Sequence, residues 1–290
     1  MIYDEPKILI GGDRYVLVEF GNELTLDLNF MAQGLASAIA QDGIAGVIET
    51  APCYASLLVH YDPERVRHRD LVRELLRLSV SLGPLEDIEL DSRLIYVESL
   101  YLDPWTKACI DDYSAKIAPK EYDPAYVARL NGLADEHVLV RVHAGTEYWV
   151  AAIGFWPGIP FLMALDPRSI ISTPKYNPPR TWTPQGTIGM GGISSCIYGV
   201  ETPGGYQLFG RTAVPIWDPG HRFADAFDGG IVLLRPGDRI KFVTVDRARY
   251  DEVEARVADG SYLHNIVGYQ RFSVRNYKAW VAGLDRARRF

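Results

Sequence analysis

A glycine-rich segment, Lys175–Thr212, limits the folds that this 290-residue chain can adopt. Eight glycines fall between Gly186 and Gly210, and short clusters of β-forming residues separate them. Glycine tolerates positive φ and close backbone approach, and within strands it marks bulges, sharp corners or places where a ligand meets the main chain. Short strands with Gly and Pro between them extend over Val138–Val245, which predicts a compact β-barrel or sandwich rather than βαβ units.

The region before this segment has a different organisation. Five stretches have the periodicity of strand, helix, strand, strand and helix, in that order: Tyr15–Phe20, Leu24–Ile39, Val47–Ala51, Ser56–Tyr61 and Asp70–Leu82. Thr25 is the predicted N-cap of the first helix. This order predicts a small α+β domain of the split β-α-β type over residues 1–90.

The remaining boundaries follow from changes in composition. An acidic stretch, Pro84–Asp91, ends the first domain, and residues 91–135 are predicted to form a connecting strand and helices. The β-barrel is predicted over residues 136–250, with His143 ending one of its strands. Residues 251–290 are predicted as a C-terminal helical extension whose last helix is basic.

Composition and motifs exclude several classes of function. The net charge of −7 and pI of about 5.4 do not favour nucleic acid or an anionic membrane as a partner. No apolar run reaches the length of a membrane span, and the start of the chain lacks a signal-peptide core, so we expect a cytoplasmic protein. The three cysteines and six histidines have no disulfide or metal spacing, so no metal site is predicted.

Polar side chains are concentrated around the glycines. Lys175, Asn177 and Arg180 lie on an arm that Pro178, Pro179 and Pro184 stiffen. Such an arm suits an anion or a planar amide, because arginine offers forked donors of fixed geometry. The alternative for each of these residues is a solvated charge or a structural hydrogen bond. The residues alone therefore predict a β-barrel with a polar pocket.

Several motifs, in this order along the chain, resemble the carboxyltransferase "C and D" family. They are Gly12–Gly21, Gly46–Pro63, Gly154–Leu162, Leu165–Arg168, Pro203–Tyr206 and Gly210–Thr212. The family includes allophanate hydrolase subunit 1-like proteins, the B-type subunit of bacterial 5-oxoprolinase, a sporulation kinase inhibitor and a region of urea carboxylase. Lys175–Pro184 and Cys196–Gly199 resemble the urea carboxylase branch, whereas the turn Trp156–Gly158 is similar to the free-standing subunits. The resemblance implies an α+β N-terminal domain followed by a cyclophilin-like β-barrel.

The resemblance also implies a reaction and a set of site residues. In the urea carboxylase branch, this barrel pairs with an "A and B" module, and the site between them moves CO2 from carboxybiotin to an amide nitrogen. The implied catalytic residues are Lys175, Arg180, Arg211 and His143, the last for proton transfer. The implied substrate-binding residues are Asn177, Tyr176, Thr202 and Gln207.

The chain departs from the complete enzyme in what it lacks. It has no biotin-attachment motif, no biotin carboxylase domain and no A-and-B module. We therefore expect a subunit of a hetero-oligomer that binds no cofactor covalently. An A/B-type subunit and a biotin carboxylase or biotin carrier chain would be its partners, carboxybiotin would come from a partner chain, and the substrate would be urea or a related small amide or guanidine. Two alternatives stay open: a subunit of an ATP-dependent, 5-oxoprolinase-like lactam hydrolase, and a regulatory protein that binds a sensor kinase.

Overall fold

The computed structural model describes residues 1–288 and divides the chain into two units. The first unit consists of residues 1–92 and 269–284, and the second consists of residues 93–268 together with the residues after 284. Among the described residues, no helix has the length and apolar character needed to cross a membrane.

The first unit is built on a four-stranded antiparallel sheet with the strand order β1-β2-β4-β3. Its elements are β1 (Ile2–Gly11), β2 (Tyr15–Gly21), α1 (Leu26–Asp42), β3 (Val47–Cys53), β4 (Ser56–Tyr61) and α2 (His68–Ser81). Alternate residues of β2 and β4 are buried against α1 and α2, so one face of the sheet forms the core. Thr25 Oγ1 accepts a hydrogen bond from Leu28 N at 3.3 Å, which confirms the predicted N-cap.

The second unit contains a closed barrel. Within the described residues, seven strands follow one another around it in the order β10-β8-β9-β7-β6-β11-β5, and β10 pairs with β5 to close the circuit. They are β5 (Glu89–Tyr101), β6 (Glu147–Ile153), β7 (Pro160–Ala164), β8 (Thr187–Gly191), β9 (Ser194–Ile197), β10 (Gln207–Thr212) and β11 (Arg239–Thr244). The predicted fold class, an α+β N-terminal domain followed by a cyclophilin-like β-barrel, is confirmed.

Four helices belong to the same part of the chain: three lie between β5 and β6 in the sequence, and one follows β11. They are α3 (Pro104–Lys116), α4 (Asp123–Leu130), α5 (Glu136–Ala144) and α6 (Arg247–Asp259). The barrel takes its first strand, β5, from the segment that the sequence predicted as a connection. The prediction that His143 ends a strand is wrong, because Asp135 Oδ1 caps Val138 N at 2.8 Å and starts α5 there. Leu139, Val142 and His143 are then buried at helical spacing.

The last segment of the chain also differs from its prediction. Residues 251–290 do not form a helical extension: α6 ends at Asp259, a strand β12 (Asn265–Ser273) follows, and α7 (Val274–Ala282) ends before the basic cluster that starts at Arg286. The final two residues of the predicted extension lie outside the described residues. Phe272 and Tyr277 contact the buried Phe30 of the first unit, with ring centroids 5.4 and 5.6 Å apart.

Gly186 shows why this part of the sequence is rich in glycine. Its φ is +79°, and a Cβ at this position would clash with the main-chain oxygen of Thr212. Gly186 O also accepts a hydrogen bond from Thr212 N at 2.9 Å, so the two segments are held at this separation. The residue must therefore be glycine for two independent reasons, backbone conformation and close approach.

We expect Gly186→Ala to lower the free energy of unfolding by about 4 kcal/mol or more, because main-chain atoms must shift. Gly260 is the matched control, since its φ is +80° and a Cβ at this position would have no atom within 4 Å. Gly260→Ala should lower the free energy of unfolding by only about 1 to 2 kcal/mol, which is the cost of the left-handed conformation for alanine. Urea unfolding of both variants checks this, and equal losses would contradict the role of close approach.

Candidate functional site

A cavity of about 380 Å³ lies beside the proline-stiffened arm and is here named the aromatic cavity. Aromatic rings line much of it, and most of the other lining residues are apolar. The complete lining is Phe155, Ile159, Phe161, Lys175, Tyr176, Pro179, Cys196, Tyr198, Pro203, Gly204, Gly205 and Tyr206. Its size and apolar walls are those of a small-molecule site.

Glycines set the shape of the aromatic cavity. A Cβ on Gly191 would lie 2.5 Å from the Tyr206 ring, and one on Gly204 would clash with the Tyr198 hydroxyl. Both tyrosine rings therefore pack directly against main chain. The glycines noted in the sequence thus make room for the walls of this cavity.

The arm is fixed to the opposite wall by main-chain hydrogen bonds. Tyr176 N donates to Gly205 O at 2.6 Å, and Arg180 N donates to Gly204 O at 2.9 Å. Lys175 is exposed, and its Nζ lies 5.3 Å from the centroid of the Tyr206 ring. The structure thus places one exposed positive charge at the rim of the aromatic cavity, while the exposed Asn177 does not line it.

Arg180 is a buried support of this wall. Its side chain is almost fully buried, and Nη1 donates to Tyr206 O at 2.5 Å while Nη2 donates to Thr183 Oγ1 at 3.1 Å. The guanidinium also lies over the Tyr176 ring, 4.4 Å from its centroid. These contacts position Tyr176 and Tyr206, both of which line the aromatic cavity.

A buried polar cluster lies under the arm and consists of Lys120, Asp123, Tyr176 and Gln207, here named the Asp123 cluster. The Asp123 carboxylate accepts hydrogen bonds from Tyr176 Oη at 2.7 and 2.6 Å, and from the Lys120 ammonium. Lys120 Nζ also donates to Gln207 Oε1 at 2.6 Å and lies 3.6 Å from the centroid of the Tyr176 ring. Burial raises the pKa of Asp123 and lowers the pKa of Lys120, and each charge opposes the shift of the other.

Sequence reasoning missed both charged members of this cluster. Lys120 and Asp123 fall in a stretch that has the composition of a turn, and nothing there shows that Asp123 is buried and Lys120 partly buried. The pair Asp123-Pro124 could have indicated the start of a helix here, because proline favours the first turn of a helix. Helix α4 does begin at Asp123.

Two further predicted residues do not line the aromatic cavity. Arg211 lines a second cavity, whose volume is about 210 Å³. Thr202 is buried, and its main-chain N donates to Thr183 O at 3.4 Å. The structure therefore brings Lys175, Tyr176 and Arg180 together, places Gln207 beneath them, and separates them from Arg211.

His143 is enclosed in the core of the barrel. It has no exposed surface, its Nδ1 lies 2.7 Å from Tyr101 Oη, and its Nε2 lies 2.9 Å from Ser195 Oγ. Burial lowers the pKa of His143 to about 3, so its ring is neutral near pH 7. It lines neither cavity, so the geometry does not support its predicted role in proton transfer there.

Among residues 1–288, no group of three His, Cys, Asp or Glu side chains is arranged to hold a metal ion.

Comparison with known proteins identifies the family. Residues 6–226 match the family described as carboxyltransferase domain, subdomain C and D. This chain belongs to that family. All eight residues that the sequence singled out lie within the matched range.

Relatives of two kinds share this C and D domain. Urea amidolyase of Saccharomyces cerevisiae is 31% identical over 287 residues, which cover 95% of this chain and 15% of the relative. The B-type subunit of 5-oxoprolinase from Bacillus subtilis is 30% identical over 82% of this chain and 92% of its own length. The crystal structure of K. lactis urea amidolyase superposes with a TM-score of 0.80 at 25% identity, over 96% of this chain and 17% of that one.

The buried His143 makes stability depend on pH. The unfolded chain binds a proton at this ring below about pH 6.5, whereas the folded chain does so only near pH 3, so acid favours unfolding in this window. Between pH 7 and pH 5 the loss from this residue is about 2 kcal/mol. We expect His143→Gln to remove that part of the pH dependence, measured by urea unfolding across the interval.

His137 provides the control for this measurement. It is exposed on the same helix, and His137→Gln should keep the wild-type dependence of stability on pH. An unchanged dependence in His143→Gln would contradict a neutral, buried His143.

Proposed function

We propose that this chain forms part of a carboxyltransferase site and works as one subunit of a biotin-dependent carboxylase that acts on urea or a related small amide or guanidine. The observation that carries the proposal is the aromatic cavity, with the Lys175 ammonium at its rim, in a chain that matches the C and D subdomains. The likeness to urea amidolyase over 95% of this chain supports the same reaction class.

In this proposal the aromatic cavity receives the head group of biotin. That group is a compact pair of fused rings with one polar edge, and the cavity combines tyrosine and phenylalanine rings with a few polar atoms. Carboxybiotin, brought by a partner chain, would supply an activated carboxyl group. Tyr198, Tyr206 and Phe161 would hold its rings, and the Lys175 ammonium would face its negative charge.

The residues of this chain then act by position and charge. Lys175 stabilises negative charge at the rim, and the apolar walls exclude water that would compete with the acceptor nitrogen. Arg180 acts through Tyr206, whose carbonyl oxygen it binds at 2.5 Å, and so keeps the wall in place. Arg180 is therefore a positioning residue in this proposal.

The base that takes the proton from the acceptor nitrogen comes from the partner in this proposal. No carboxylate or histidine belongs to the lining of the aromatic cavity within residues 1–288. His143 is neutral but enclosed in the core, and Asp123 is sealed by its hydrogen bonds. A partner of the A/B type would complete the site.

A second candidate function is a role in a 5-oxoprolinase-like lactam hydrolase made of several chains. The observation that favours it is the likeness to the B-type subunit of Bacillus subtilis 5-oxoprolinase, which is 30% identical over 82% of this chain. The acceptor in that case would be a cyclic amide of similar size.

Purification of this chain with its partners from its native source separates the candidates. We expect a biotinylated chain to copurify, and a streptavidin blot detects it. A complex that lacks biotin and hydrolyses 5-oxoproline would establish the second candidate. A sensor kinase as the main partner would instead support a regulatory protein and overturn both.

Lys175 is the residue to test in the assembled complex. We expect Lys175→Met to lower kcat/KM by about 100-fold, because a charge that faces the transferred group is lost. Lys107 is the matched control, since it is an exposed lysine of the same unit that pairs with Asp111. Lys107→Met should stay within about twofold of wild type. Equal activity in Lys175→Met and wild type would contradict the proposal that the aromatic cavity takes part in the reaction.

A further inference from the structure

The second cavity lies between the strand ends of the barrel and helix α6. Its volume is about 210 Å³, and Tyr198 is the one described residue that it shares with the lining of the aromatic cavity. Its charged lining residues are Arg211, Arg222 and Glu254. Two guanidinium groups and one carboxylate thus line a small space, and the buried Asp218 carboxylate lies 4.0 Å from Arg222 Nε.

Arg211 is held in place before any ligand arrives. Its main chain pairs with Leu100 and Thr187 in the barrel, and its Nε donates to Gln185 O at 2.8 Å. The guanidinium carbon lies 4.8 Å from the centroid of the Trp105 ring. A side chain that is already held by a hydrogen bond and a ring contact loses little conformational entropy when it binds an anion.

The remaining donors of both arginines are only weakly used. Arg211 Nη1 lies 3.8 Å from Glu254 Oε1, beyond hydrogen-bond distance, and the Glu254 side chain is half exposed. Arg222 donates one bond from Nη1 to Val257 O at 3.2 Å, and its Nε lies 4.0 Å from the buried Asp218. Solvent screens the Arg211–Glu254 pair because Glu254 is half exposed, and the Arg222–Asp218 pair is longer than a hydrogen bond.

We propose that the second cavity is a binding site for a small oxyanion, either an inorganic anion or the carboxylate of a small organic acid. Arginine forks bind the two oxygens of such a group by parallel hydrogen bonds. The small volume excludes larger ligands, and the two guanidinium groups, which no carboxylate oxygen contacts within hydrogen-bond distance in the described residues, favour anions over neutral amides. This proposal does not depend on the proposed carboxyltransferase function, because the two cavities share only Tyr198 among the described lining residues.

Calorimetric titration of the full chain tests this at constant ionic strength in chloride, with bicarbonate, inorganic phosphate, acetate and malonate as separate probes. We expect saturable binding of at least one probe. Binding of bicarbonate or phosphate alone identifies an inorganic anion, and binding of acetate or malonate identifies an organic carboxylate. No saturation with any probe overturns the proposal.

Three variants locate the bound anion. Arg211→Gln should weaken binding by about tenfold or more, because charge-assisted hydrogen bonds are lost. Arg129→Gln is the control, since this exposed arginine of the same unit pairs with Glu121, and it should bind as wild type does. Glu254→Gln removes the competing carboxylate and should tighten binding by about threefold.

Glu254→Gln keeps the test decisive if Arg211→Gln does not fold, because residue 254 is half exposed and its loss leaves the core intact. Wild-type affinity in both Arg211→Gln and Glu254→Gln would place the anion elsewhere and overturn the proposal. So would weaker binding in Glu254→Gln.

Discussion

The Asp123 carboxylate has no exposed surface, and the arrangement around the aromatic cavity depends on its hydrogen bonds being complete. It joins three segments that are distant in sequence: Lys120 before α4, Tyr176 on the arm, and Leu208 N on β10 at 2.7 Å. A buried carboxylate without partners would cost several kcal/mol, so each segment is held where it can contribute its donor. The apolar walls of the cavity therefore pack on the Asp123 cluster, whose carboxylate is fully hydrogen-bonded, and this keeps the walls in one conformation.

Most of the fold could be predicted from local patterns. Strands β2 and β4 and helices α1 and α2 could be predicted because each buries one regular face, which gives a periodic apolar pattern. The cap at Thr25 could be predicted from its residue type and its position before α1. Strand β1 was missed because it lies at the edge of its sheet and is mostly exposed, so it lacks an apolar alternation. His143 was misplaced because Val and His in α5 have strand propensity, whereas the cap at Asp135 decides for a helix.

The site was predictable only in part, because spacing along a chain does not show where the register of a strand is interrupted. Lys175, Tyr176 and Arg180 stay together since one arm carries them. Gln207 and Arg211 would share a face in a regular strand, but a register shift between Leu208 and Gly210 interrupts β10. Gln207 then contacts Lys120, and Arg211 contacts Trp105 instead. Lys120 and Asp123 depend on tertiary burial, which the sequence does not encode locally.

The contribution of β12 and α7 to the first unit has a consequence for synthesis on the ribosome. Phe30 is translated before the barrel strands, whereas Phe272 and Tyr277, which cover its ring, are made only after the whole barrel has been translated. Until then the first unit exposes an apolar surface where those rings will pack, and it remains open to chaperones or to aggregation during that interval. The barrel, by contrast, has all its strands available before the nascent chain is finished, so it can fold first although it comes second in the sequence.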